Sequence, residues 1–107
     1  MSLTFQYVLA LISRGEVRIS AHGYDELADD GILVKDIMAG VWEAVILEDY
    51  SEYPKGRCVL VLQKDSQGNP IHVVWGIAKN TTSPAVLVTA YRPEPERWSS
   101  DFKRRQP

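Results

Sequence analysis

The sequence predicts an α+β fold in which N-terminal helices lie across one face of a four-stranded antiparallel sheet. Two observations predict it. Up to residue 44 apolar residues recur at spacings of three and four between glycines, whereas from Val45 onward short apolar runs alternate with turn-forming residues. A chain of 107 residues suffices for one domain with a single core and is too short for two, so residues 1–107 are read as one domain with its core over about 3–93 and a charged tail over 94–107.

The elements follow in order. Residues 3–14 place Leu3, Tyr7, Ala10, Leu11 and Arg14 on one helical stripe that stops at Gly15. Val17-Arg18-Ile19 is a short extended link into a second helix, capped at its start by Ser20 and at its end by Gly31. Val34–Ala44 repeats the helical pattern through Ile37, Val41 and Ala44. The four strands are Val45–Tyr50, Arg57–Lys64, Ile71–Ala78 and Ala85–Tyr91, in meander order, with Pro54, Gly56 and the Gly68-Asn69 pair marking connections. The tail Arg92–Pro107 is rich in proline and charge, with Trp98 and Phe102, four apart, as candidate anchors; two outcomes stay open, docking as a helical turn or a loose tail.

Composition removes several function classes. The start Met1-Ser2-Leu3-Thr4-Phe5 lacks a basic leader and a cleavage site, and no apolar run reaches membrane-spanning length, so a cytoplasmic protein without membrane contact is expected. Cys58, the single cysteine, lies in an apolar strand and is read as an inert thiol. The net charge of −2 hides a division: residues 1–52 hold three basic and ten acidic groups (−7), and residues 53–107 nine basic and four acidic (+5). A basic second half offers a polyanion a surface; alternatively the two halves attract each other within the fold.

Strand alternation points Thr89 and Tyr91 to one side, and pairing Ala78 with Ala85 across the last hairpin sets His72 opposite Tyr91 and Val74 opposite Thr89. Arg57, Lys79 and Arg92 at the strand ends add positive charge. Such a set suits a phosphodiester, with a base for a 2′-hydroxyl proton, an acid for the leaving oxygen and cations for the phosphorane. His22 opens the second helix, and Asp25, Glu26 and Asp29 follow at three, four and seven positions, which is one face. That face is read first as a solvated acidic surface and second as the basis of a metal-assisted hydrolase. With two histidines, one cysteine and no ligand cluster of known spacing, neither a metal nor a cofactor is expected.

The order Ile19-Ser20-Ala21-His22, Gly31-Ile32, Asp36-Ile37, Glu48-Asp49-Tyr50, Val59-Leu60-Val61-Leu62, Pro70-Ile71-His72-Val73-Val74 and Val88-Thr89-Ala90-Tyr91-Arg92-Pro93 resembles the bacterial "domain of unknown function 4258" family over roughly residues 14–95. That family is similar to the RelE/ParE and MqsR-like toxins of toxin–antitoxin operons. The resemblance implies a RelE/ParE-like fold and a metal-independent endoribonuclease acting on single-stranded RNA. It carries His22, His72, Thr89 and Tyr91 over as catalytic candidates, while Arg57, Lys79 and Arg92 are the RNA-phosphate candidates from the strand-end reading. It implies as partners RNA and a cognate antitoxin, with a zinc-finger protein as one candidate; a homodimer is a further expectation. The chain departs from the family where many members carry arginine, at Glu26 and Asp30. The rival expectation is therefore a non-catalytic protein-interaction module on a toxin-like fold.

Overall fold

Ser2 starts the first helix by accepting the Phe5 N–H at 3.0 Å, and its hydroxyl donates to Asp49, which ties that helix to the sheet. The computed structural model describes residues 2–107. Helix α1 spans Leu3–Ser13 and buries Thr4, Phe5, Val8, Leu11 and Ile12. The expected stripe through Leu3 and Tyr7 is corrected, since both are about half exposed. This helix is apolar on most sides, so its period alone does not say which side meets the core.

Helix α2 spans Ala21–Asp30, and Ser20 serves it twice, accepting the Gly23 N–H at 2.9 Å and donating to the Val88 carbonyl at 2.8 Å. Gly23 allows the helix to touch the sheet: a Cβ there would stand 2.9 Å from the Leu87 carbonyl oxygen. Gly31 closes the helix in the left-handed region at φ 62°, as its position in the sequence implies. The segment after it is shorter than expected as an α-helix, with α3 at Val34–Gly40 and a 3₁₀ turn at Val41–Glu43.

The strands are β1 Val17–Ile19, β2 Val45–Tyr50, β3 Cys58–Lys64, β4 Pro70–Gly76 and β5 Ala85–Tyr91, in the order β1-β5-β4-β3-β2. The expected four-stranded antiparallel sheet is thus corrected to a five-stranded mixed one. Val17–Ile19, expected to be a link, pairs in parallel with Ala85–Leu87. Three residues carry too little alternation to announce a strand, and a parallel partner 68 positions away leaves no hairpin signal.

One face of the sheet is the core. Val59, Val61, Ile71, Val73, Trp75 and Leu87 meet Phe5, Val8, Leu11, Leu27 and Ile37 there. Each fully buried side chain of this size contributes roughly 1.5–3 kcal/mol through water released from its surface. The fully buried Trp75 gives its indole N–H to Gln63 at 3.1 Å, and Gln63 gives its amide N–H to the Ile37 carbonyl at 2.8 Å, so the buried polar groups are satisfied while α3 is fixed to β3. No helix among the described residues is long and apolar enough to cross a membrane.

Candidate functional site

The second face of the sheet carries the polar side chains, and a β-bulge decides which of them meet. Near the turn Gly76 pairs with Val86 and Trp75 with Leu87, a register that would set His72 against Ala90 if it continued. The extra residue at Val88 shifts the pairing by one, so His72 stands opposite Tyr91 and Val74 opposite Thr89. The expected pairing of those residues holds. The straight hairpin through Ala78 and Ala85 that suggested it does not, because β4 ends at Gly76.

His72 is fully buried. Its Nε2 lies 2.8 Å from the Phe102 carbonyl oxygen, which can only accept, so Nε2 carries the proton. In the neutral ring Nδ1 is then an acceptor, and the Tyr91 hydroxyl donates to it at 3.2 Å. Burial holds the imidazole below its ordinary pKa and the Tyr91 phenol above its own. The resting pair is a neutral histidine that can receive a proton and a neutral tyrosine that can release one.

The cover over His72 is the C-terminal tail, which docks as a closed loop. Trp98 bridges to Arg105, Ser99 N–H donates to the Arg104 carbonyl at 2.7 Å, and the Gln106 N–H donates to the Arg97 carbonyl at 2.9 Å. Trp98 sets its ring edge-on against His72 with centroids 4.2 Å apart, and the Arg105 guanidinium lies 5.0 Å from the centre of the Trp98 ring. Arg105 also reaches Glu48 on β2 at 2.6 Å, and Glu48 accepts from Tyr50. The arginine holds the Glu48 carboxyl below the usual range, and burial raises the Tyr50 phenol. Glu48, Tyr50 and Arg105 are the residues that sequence reasoning left out of the site. Glu48 and Tyr50 were legible as alternate residues of one strand; Arg105 had only its place beyond two aromatic anchors.

The remaining candidates are dispersed. Arg57 lies at the other end of the sheet: its neighbour Cys58 pairs with Gly76, four residues or about 13 Å along β4 from His72. It donates to Thr4 at 2.8 Å and stacks over Tyr7. Lys79 is exposed in the loop beyond that same end. Arg92 adjoins Tyr91 but is held by Asp30, through the Arg92 N–H at 2.8 Å, and by Asp65 at 3.1 Å. Thr89 is half-buried on the Tyr91 side, two residues away. His22 is largely exposed, with Glu26 3.7 Å from its Nε2. The lesser reading of the face of His22, Asp25, Glu26 and Asp29, a metal-assisted hydrolase, finds no support: among the described residues no three histidine, cysteine or carboxylate side chains are placed to hold a metal ion. Cys58 is half-buried, and burial pushes its thiol up, away from the reactive thiolate.

An open cleft of about 720 Å³ lies beside Tyr91, walled by Glu26 and Asp30 of α2 and by Arg92, Arg97 and Arg105. Fold and site together define a small mixed-sheet α+β domain with a buried histidine bonded to a half-buried tyrosine next to a charged cleft. The chain belongs to the family described as a domain of unknown function, DUF4258, whose family model matches residues 19–92. No curated protein and no solved structure matches the chain.

Proposed function

We propose that the protein is a metal-independent endoribonuclease of the toxin type, part of a bacterial toxin–antitoxin system and acting in the cytoplasm on single-stranded RNA. One observation carries this reading: His72, held by the Phe102 carbonyl, is hydrogen-bonded to the hydroxyl of Tyr91, a residue that lines an open cleft, so the two can form a proton path toward it. As the 2′-hydroxyl attacks phosphorus, its proton passes to the Tyr91 oxygen while the Tyr91 proton passes to His72 Nδ1. The P–O5′ bond breaks, leaving a 2′,3′-cyclic phosphate and a 5′-oxygen that takes its proton from water in the cleft; His72 then returns its extra proton through Tyr91 to the hydroxide so formed, which restores the neutral pair. The imidazolium formed at His72 keeps its Nε2–H bond to Phe102, and Arg105 supplies the nearby positive charge.

A second reading rests on a different observation. Each arginine of the cleft is already engaged by a carboxylate, Arg92 by Asp65, Arg97 by Glu94 and Arg105 by Glu48, and Glu26 and Asp30 add further negative charge. This favours a module that binds protein, an antitoxin or a second copy, over one that binds phosphate. The test is cleavage of mRNA and tRNA, with and without ribosomes, by partner-free protein in EDTA. The ribonuclease reading expects a cyclic phosphate end and a loss of about 10²-fold in Tyr91→Phe. No cleavage by wild-type protein, with one protein co-purifying at fixed stoichiometry, establishes the binding module instead.

A further inference from the structure

The two edges of the sheet are unlike. β1 is three residues long, and beyond it β5 is shielded by α2 through the Ser20–Val88 bond and the approach of Gly23 to Leu87. β2 is six residues long and pairs on one side only, with β3. Its other side presents unpaired backbone N–H and C=O groups, a template for another strand. Val45, Ile46 and Tyr50 are exposed along it, and Trp42 and Tyr53 are exposed at its two ends.

Charge selects what this edge accepts. No lysine or arginine occurs between Lys35 and Lys55, and Glu43, Glu48, Asp49 and Glu52 lie on or beside the strand. Arg105 neutralises Glu48, and three negative charges remain without a basic side chain in that segment. Natural sheet edges are commonly guarded by lysine, proline or a bulge. This strand has a bulge between Ile46 and Glu48 and carboxylates in place of lysine. Two copies pairing β2 to β2 would bring the uncompensated Glu43, Asp49 and Glu52 of each copy toward like charge, which opposes self-association and leaves an incoming cationic strand favoured.

We propose that the open edge of β2 receives an extended, lysine- or arginine-bearing segment of a partner protein, which adds a sixth strand to the sheet and covers Trp42 and Tyr53. The open side of β2 faces away from the proton path, which lies two strands further in and meets β2 only through the Arg105–Glu48 pair, and the proposal stands whichever functional reading holds.

The probe is a capped nine-residue peptide alternating lysine with valine and threonine, tested against full-length protein beside its glutamate counterpart by amide chemical-shift mapping and hydrogen exchange. The expected result is saturable binding of the lysine peptide, shifts centred on Val45–Tyr50 and slowed exchange of β2 amides. Binding should weaken at least about tenfold in a Glu43→Lys/Glu52→Lys double variant, the scale of a lost favourable charge contact of about 1.4 kcal/mol. Both positions are exposed, and an unchanged melting temperature shows that the double variant stays folded. Equal affinity for the two peptides, shifts centred on the Tyr91 cleft, or sedimentation as a dimer through β2 each overturns the proposal.

Discussion

The Asp30 carboxylate accepts the backbone N–H of Arg92 at 2.8 Å, and the Arg92 Nε reaches back to the Asp30 carbonyl oxygen at 3.2 Å. This reciprocal pair joins the last residue of α2 to the residue that follows β5. Asp30 thus fastens the chain where the sheet hands over to the tail.

Asp30→Ala removes the acceptor and leaves a half-buried N–H unpaired. The expected loss is about 1–3 kcal/mol of folding stability, read as a lower urea midpoint at unchanged m-value. Glu26→Ala, whose partner is the exposed His22, should change stability by less than about 0.5 kcal/mol under the same conditions.

His72 gives stability a pH dependence whose sign is fixed by its environment. Burial lowers its pKa in the folded state below the ordinary 6.5, so the unfolded chain binds more protons in the interval between the two values. Its contribution is fully present above 6.5 and falls away as the pH drops through that value, levelling off once the folded state is protonated too. The melting temperature should therefore fall between about pH 7.5 and 5, before most carboxylates titrate. The slope over that interval should flatten in His72→Gln, and a slope equal to that of wild type would show that other groups carry it.

Trp98 is 7% exposed and forms the wall over His72. Trp98→Ala should cost about 3–5 kcal/mol, the range for truncating a buried aromatic. Opening that wall should also raise the His72 pKa toward its ordinary value, which an NMR titration of the ring protons would follow. Loss of stability with no movement of that titration would mean that the tail stays closed without its tryptophan.

What the sequence disclosed tracks how local each signal is. The Ser20 and Gly31 caps are single-residue chemistry, and the second helix stands where they imply. The facing of His72 and Tyr91 was expected from a straight Ala78–Ala85 register and arises instead from the bulge at Val88, which was not legible because an unpaired residue leaves the composition of a strand unchanged. The pairing of β1 and the docking of the tail depend on contacts far apart in sequence. Arg105 finds Glu48 from 57 positions away, and no short-range pattern encodes that meeting. The basic second half gathers at no single patch: Arg57 and Lys79 sit at one end of the sheet, and Arg92 and Arg105 lie by Tyr91 with carboxylate partners.

The groups that close over His72, namely Trp98, the Phe102 carbonyl and Arg105, all belong to the last ten residues of the 107-residue sequence. They lie C-terminal to every strand, so the sheet is complete in its pairing before they dock. The histidine is sealed, and its tautomer set, by a segment that contributes no strand to the sheet. Lifting that segment would turn one imidazole nitrogen to water while every strand stays paired, so the acid–base state of the pair is governed by a latch rather than by the sheet that holds it.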